Sequence, residues 1–348
     1  MLNDIVKPLT EWYRQNKRSL PWRDRHNAYY TWVSEIMLQQ TRVEAVKPYF
    51  RRFTEELPDP AALAECPEEK LLKLWEGLGY YNRVRNMQIA AQTVVEEYDG
   101  VLPASYEKLL SLKGIGSYTA GAIASIAYDI PVPAVDGNVL RVITRIIEDD
   151  GDIMKQSVKK RIENKLQEIM PGEYPGDFNQ ALMELGAVVC VPNGEPKCDV
   201  CPVAFCCGAR AHGTIDRFPV KAQKKDRKLE DRTVLVIQDV EKTAIRRRPS
   251  RGLLAGLYEL PNLKGHLSEE EVLESVKAMD LEPLRIEALP EAKHIFSHIE
   301  WRMTAYRVRV SSLEEIRQND LLFVGKRQSD DQYAIPSAFS AYTKYIRE

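Results

Sequence analysis

Residues Leu109–Tyr128 read LLSLKGIGSYTAGAIASIAY, and this stretch decides the fold. A short apolar segment runs into Gly114-Ile115-Gly116. A second apolar helix follows, with Ala120, Ile123, Ala124 and Ala127 on one stripe at i, i+3, i+4 and i+7. The glycines permit a tight reversal and let a ligand approach the backbone. The helix beyond them offers free N–H groups and the positive end of its dipole to an anion. Gly114 and Gly116 can therefore grip a phosphate backbone without much positive charge. Twenty residues after Gly116, behind Pro131 and Pro133, stands Asp136 in DIPVPAVDGNV. Its place before Gly137 also suits a helix N-cap.

Outside this stretch the chain has ordinary globular chemistry. It has 348 residues, 49 basic and 51 acidic side chains and a net charge of −2. That length exceeds a usual single core, so two domains are expected. Hydrophobic content of 44% with 29% charge excludes intrinsic disorder. No run approaches the ~18 apolar residues that would span a bilayer, so no membrane partner is expected. The start, MLNDIVKPLTEWYRQNKRSLPW, lacks the apolar core and cleavage site of a signal peptide, which predicts a cytoplasmic protein, nucleoid-associated if bacterial. The balanced charge excludes a bulk polycation but not a local DNA-binding surface.

The charge is uneven. Residues 1–210 carry 25 basic and 29 acidic side chains, residues 211–232 seven and four, and residues 233–348 seventeen and eighteen. The middle stretch, AHGTIDRFPVKAQKKDRKLEDR, is polar and poor in apolar periodicity, and it reads as a basic inter-domain linker. Before it, Glu68–Trp75, Arg85–Tyr98 and Val158–Met170 show helical spacing, punctuated by Pro and Gly pairs. After it, Arg232–Gln238 and Trp301–Val310 are strand-like. Between those two, Ser268–Ala278 is helical, with Ser268 and Glu271 spaced for a capping box. The first part is thus all-α and the last α+β.

Five of the six cysteines fall in CVPNGEPKCDVCPVAFCC, residues 190–207. Cys190, Cys198, Cys201 and Cys207 give C-x7-C-x2-C-x5-C, a compact cage of soft sulfur ligands. The C-x2-C pair lets two thiolates converge with little strain. Spacing leaves zinc, copper(I) and an iron–sulfur cluster open, and Cys206 could replace Cys207. Cys66 reads as a small core residue.

Larger blocks carry a resemblance. PWRDRHNAYYTWVSEIMLQQTRV at residues 21–43 stands with WEGLGYYNRVRN at Trp75–Asn86, VDGNVLRV at Val135–Val142 and FNQALMELGA at Phe178–Ala187. Together with the hairpin, Asp136 and the cysteine run, they resemble the adenine-specific glycosylases of the MutY type. These lie within the helix-hairpin-helix DNA glycosylase superfamily. The resemblance spans essentially the whole chain. It implies a helical glycosylase core over residues 1–210, made of a six-helix module at about 27–135 and a module of 1–26 plus 136–210 that holds a [4Fe–4S] cluster. RRRPSRGLLAGLYELPN at Arg246–Asn262 resembles part of a Nudix-type fold, so residues 233–348 should form a Nudix-like domain. The clustered glutamates of a Nudix hydrolase are missing, which implies recognition rather than pyrophosphate hydrolysis.

The resemblance also implies roles. Glu35 is the acid that protonates the departing adenine, with Leu38 beside it on the substrate side, and Asp136 is the nucleophile or electrostatic stabiliser. A raised pKa at Glu35 and an ionised Asp136 are expected. Tyr118 contacts Glu35 or the sugar region, Asn138 orients the catalytic groups, and Gln180 and Arg23 approach the adenine. Gln40, Thr41, Leu78 and Tyr80 belong to the lesion side, Tyr80 as a wedge. Ser297, in HIFSH at His294–His298, is the expected partner of 8-oxoguanine. Bifunctional relatives such as endonuclease III, which act on oxidised pyrimidines, place a lysine at position 118. A tyrosine there implies a monofunctional enzyme that leaves an abasic site. The implied partner is double-stranded DNA with 8-oxoguanine:adenine or guanine:adenine mispairs, bound by a monomer. The family usually encloses six residues between its first two cluster cysteines, whereas Cys190 and Cys198 enclose seven, the extra one in the turn-like PNGEP. A non-catalytic DNA-binding regulator is the reading from another class, and it predicts that Glu35 and Asp136 are replaceable.

Overall fold

A computed structural model describes residues 2–23, 27–222, 226–313, 321–325, 328 and 332–346. By contact the chain divides into two units, Met1–Cys66 with Arg83–Gln223, and Pro67–Asn82 with Lys224–Glu348.

The first unit is helical. Its early helices are α1 (Val6–Asn16), α2 (Ala28–Leu38), α3 (Val43–Glu56) and α4 (Pro60–Glu65). Helix α5 (Glu68–Leu74) groups with the second unit, although the resemblance implies a place for it in the module at about 27–135. The first unit resumes with α6 (Asn82–Tyr98), α7 (Tyr106–Ser111), α8 (Ser117–Tyr128), α9 (Gly137–Ile147), α10 (Gln156–Gln167), α11 (Pro175–Val188) and α12 (Gly208–Ala211). Side-chain caps set several starts: Asn27 accepts the Tyr30 N–H, Asp59 that of Ala62, Ser105 that of Lys108 and Asp136 that of Val139. Helix α2 packs on α8, with Trp32, Ile36, Ala120 and Ile123 buried. A separate core joins Ile5, Leu9 and Tyr13 of α1 to Val139 and Ile143 of α9 and Phe178 and Leu182 of α11. The N-terminal helix is therefore built into the layer that follows Asp136.

The expected linker at 211–232 is shorter in the structure. Val220 accepts the Ile153 N–H at 3.0 Å, and the Phe218 carbonyl accepts Arg145 Nε at 3.0 Å, so this part lies on the helical unit. Phe218 is buried and anchors it. At the other end, strand β1 (Lys228–Gln238) already begins at Lys228, where its first residues are solvent-facing and so lack the apolar signal of a strand. Residues 223–225 of the expected linker lie outside the described residues.

The second unit centres on a sheet of β1, β2 (Lys242–Arg247), β3 (Tyr258–Glu259), β4 (Asn262–Lys264), β5 (Pro283–Ile295), β6 (Ile299–Val310) and β7 (Leu321–Gly325). Its main order is β3-β2-β1-β6-β5, with β4 on β1 and β7 on β2. Strands β1 and β6 pair in parallel from Lys228↔Ile299 to Gln238↔Arg309. The alternation of β1 splits its side chains between two cores. Val234 and Val236 join Trp301, Met303, Phe339 and Tyr342, while Leu235 and Ile237 join Val308 and Val310. Helix α13 (Glu269–Lys277) covers the second core through Val272 and Val276, and its Ser268–Glu271 capping box forms as expected. The short α14 (Ser340–Thr343) contributes Tyr342 to the first. This α+β unit and the helical core match the sequence-based fold class.

Candidate active site

In the helical unit a cleft of about 630 Å³ gathers Glu35, Leu38, Gln40, Thr41, Tyr118, Asp136, Asn138, Gln180 and Arg23 along its walls. These residues come from segments spread over more than 150 positions, so the fold alone assembles them. Glu35 sits on the inner face of α2 and is 6% exposed. Tyr118, in the first turn of α8, donates its hydroxyl to Glu35. Burial pushes the Glu35 carboxyl up to about 7; the Tyr118 bond and Arg23 oppose this, and the charge of Asp136 adds to it. Burial also lifts the Tyr118 phenol well above its usual range, so it stays a hydrogen-bond donor.

Asp136 is held differently. It caps α9, accepting the Val139 N–H at 2.7 Å on one oxygen and Asn138 Nδ2 at 2.8 Å on the other. Burial raises its carboxyl, while those hydrogen bonds and the Arg141 charge favour the ionised form. Arg141 also donates to Asn138 Oδ1 at 2.8 Å and fixes that amide. Gly186 permits the close approach of α11: a Cβ there would meet the Asn138 Cβ at 2.6 Å. The preceding loop is pinned by buried Asn179, which accepts the Ala134 N–H at 3.0 Å and donates to the Val132 carbonyl at 2.9 Å.

Gln180 and Glu184 lie one turn apart on α11, and both line the cleft. Glu184 accepts Arg18 Nε at 2.6 Å and Arg23 Nη2 at 2.7 Å. Burial alone would raise the Glu184 carboxyl, but the bonds from Arg18 and Arg23 outweigh it and hold it below the usual range. Glu184, Arg18, Asn179 and Arg141 were not singled out from the sequence. The signal available was the i, i+4 relation of Glu184 to Gln180 inside FNQALMELGA.

Other expected site residues lie elsewhere. Gly114 has a φ of 79°, and a Cβ there would meet the Asn86 Cβ at 2.8 Å, so the hairpin needs glycine at this position. Gly116 has an extended φ of −96° and caps α8, with nothing within 4 Å of its Cβ direction. Leu78 and Tyr80 group with the second unit. Ser297 is exposed at the β5–β6 turn, 3.1 Å from His298 Nδ1.

Cys190, Cys198, Cys201 and Cys207 line one apolar-walled cavity beside α9, whereas Cys206 turns its thiol to the Val203 carbonyl at 3.4 Å. This favours Cys207 as the fourth member. Arg145 Nη1 donates to Cys190 Sγ at 3.2 Å. The long Cys190–Cys198 spacing is absorbed in a loop closed by Lys197 N–H to the Val189 carbonyl at 3.0 Å. Among the described residues no three Cys, His, Asp or Glu side chains converge as around one metal ion.

A family model described as "HhH-GPD superfamily base excision DNA repair protein" matches residues 33–171, the stretch that carries Glu35, Tyr118 and Asp136. A NUDIX domain model matches residues 232–345. The adenine DNA glycosylase of Mus musculus is 36% identical over 86% of this chain and 69% of the relative. That of Buchnera aphidicola from Acyrthosiphon pisum is 31% identical over 87% and 86%. A thermostable thymine-DNA glycosylase structure superposes with a TM-score of 0.54 at 25% identity, covering 60% of this chain and 96% of that one. The chain belongs to the adenine DNA glycosylase family.

Proposed function

We propose that the protein hydrolyses the N-glycosidic bond of adenine mispaired with 8-oxoguanine or guanine in double-stranded DNA and leaves an abasic site. The observation that carries this is the pair of unlike carboxyls in one cleft. Glu35, held by one phenol and raised to about 7, stores a proton, whereas Asp136, held by N–H donors, is arranged to carry charge. Glu35 protonates the extruded base and makes it a better leaving group. Asp136 then stabilises the oxocarbenium-like sugar until water adds at its anomeric carbon and gives its proton to the Glu35 carboxylate, restoring the acid. The Glu184-bound Arg18 and Arg23 form a fixed donor wall for the base. Tyr118 has no amine and cannot form a Schiff base, which supports hydrolysis without strand cleavage.

A [4Fe–4S] cluster is the cofactor that best suits the four cysteines. The four cysteines line one cavity beside α9, and four soft sulfur ligands in so short a stretch of chain suit a cluster of this kind. Burial pushes the Cys201 thiol up to about 12, so binding displaces protons. Cys190, Cys198, Cys201 and Cys207 would hold the cluster, and it would brace the loop beneath α9.

Single-turnover assays on an 8-oxoguanine:adenine duplex test the reading. Glu35→Gln and Asp136→Asn should each lower adenine excision by at least about a hundredfold while retaining duplex binding. The product should be cut only after alkali. Substantial excision by either variant would refute the assignment.

A further inference from the structure

Helix α5 and the turn after it combine an exposed aromatic with tethers from the far end of the chain. The chain leaves α5 at Trp75 and turns with positive φ at Gly77 (97°), Gly79 (70°) and Tyr80 (48°). Such a φ at a bulky aromatic needs local support. Trp75 Nε1 supplies it by donating to the Gly79 carbonyl at 3.1 Å, and the Leu78 N–H donates to the Trp75 carbonyl at 3.1 Å. Leu78 is buried and fills the turn from inside, while Tyr80 is 56% exposed. A large ring is thus presented outward on a fixed backbone, which suits stacking against a nucleic-acid base.

Glu76, at the start of this turn, is committed through both carboxylate oxygens. Oε1 accepts the Ile335 N–H at 2.7 Å, and Oε2 pairs with Lys73 Nζ at 2.6 Å. Lys73 also donates to the Tyr333 carbonyl at 3.1 Å. Further back on α5, Glu69 accepts the Tyr258 hydroxyl at 3.1 Å, and the Tyr258 and Tyr333 rings meet edge-on at 4.7 Å. Residues 67–82 are therefore held by the same unit that carries Ser297.

We propose that Glu76 is a positioning residue that fastens the Tyr80 turn to the Nudix-like unit, so that Tyr80 and Ser297 read the strand opposite the adenine as parts of one body. The inference rests on the function proposed above and adds one thing to it: the segment 67–82, though early in the chain, works with the unit that carries Ser297. An aromatic wedge must hold its place against the restacking of the bases it parts. A turn freed from Glu76 would keep its internal bonds but lose its tether to Ile335, and would yield more readily under that load.

The test uses the full-length protein. Glu76→Ala removes both contacts, and Glu76→Gln keeps an oxygen for the Ile335 N–H. Hydrogen exchange on the DNA-free protein should quicken at residues 77–81 and 333–338 in Glu76→Ala, and less in Glu76→Gln. Preference for 8-oxoguanine over guanine opposite the adenine should fall about tenfold in Glu76→Ala, the worth of one charge-assisted hydrogen bond, with partial rescue in Glu76→Gln. Unchanged exchange at 333–338 in Glu76→Ala would overturn the proposal. So would an unchanged preference in a variant whose exchange has quickened. A wild-type protein that excises adenine from neither duplex would refute the parent function, and the exchange pattern would still decide whether the tether exists.

Discussion

Glu35 and Asp136 are both buried carboxyls, and their hydrogen-bond partners separate them. Asp136 has two donors that lose a strong acceptor if it is protonated, whereas Glu35 has one phenol. The neighbouring Asp136 charge helps keep the proton on Glu35. Glu184 completes the arrangement, because its carboxylate balances Arg18 and Arg23 and so limits the pull of Arg23 on that proton. This acid is stored at a cost to the fold. Its folded-state value of about 7 stands above the value of 4.5 expected in an unfolded chain. A raised carboxyl leaves stability intact below the unfolded pKa and loses it as pH rises through the folded one. The loss at Glu35 therefore accrues between those two values and is complete above about pH 8, reaching on the order of 3 kcal/mol at most. Glu35→Gln, which cannot ionise, should melt at a higher temperature than wild type at pH 8, and the difference should shrink toward pH 5. Thermal melts across that range check it; equal melting temperatures at pH 8 would mean that Glu35 is not desolvated.

At the scale of elements, α9 connects the cleft to the cysteine loop. Its N-terminus is capped by Asp136, and Arg145 in its last turn reaches Cys190 Sγ. The cysteine loop wraps that end, with Cys207 Sγ 3.6 Å from the Arg145 carbonyl and Cys206 turned outside the ring. Cys206→Ser should retain iron and visible absorbance after anaerobic purification, whereas Cys207→Ser should lose most of both. The reverse result would exchange the two roles. The sequence made much of this legible, because the hairpin glycines, the aspartate twenty residues on and the C-x2-C pair are local patterns with local causes. It left Cys206 and Cys207 undecided because adjacent thiols differ only in the turn that aims them. It also left Glu184 and Asn179 unassigned. Glu184 meets Arg18 across 166 positions, and Asn179 meets the Ala134 N–H across 45, so neither role has a local pattern.

For the whole molecule, the affiliation of residues 67–82 was the feature furthest from sequence reach. The tethers of α5 and the turn after it join residues 189 and 259 positions apart. The segment is helical by periodicity and lies inside a family match that runs from 33 to 171, so nothing local marks it as shared. That sharing changes what removal of the C-terminal part should do. A chain cut after residue 225 loses Ser297 and also Tyr258, Tyr333 and Ile335, the partners of Glu69, Lys73 and Glu76. It keeps every residue named around the adenine cleft. The fragment should still excise adenine but lose its preference for an 8-oxoguanine partner. It should also be cut by trypsin after Lys73 well before the full-length chain is, since Lys73 loses the Tyr333 carbonyl and α5 and its turn lose Tyr258 and Ile335. A fragment that keeps both its preference and its resistance at Lys73 would show that the helical unit alone holds α5 and reads the partner base.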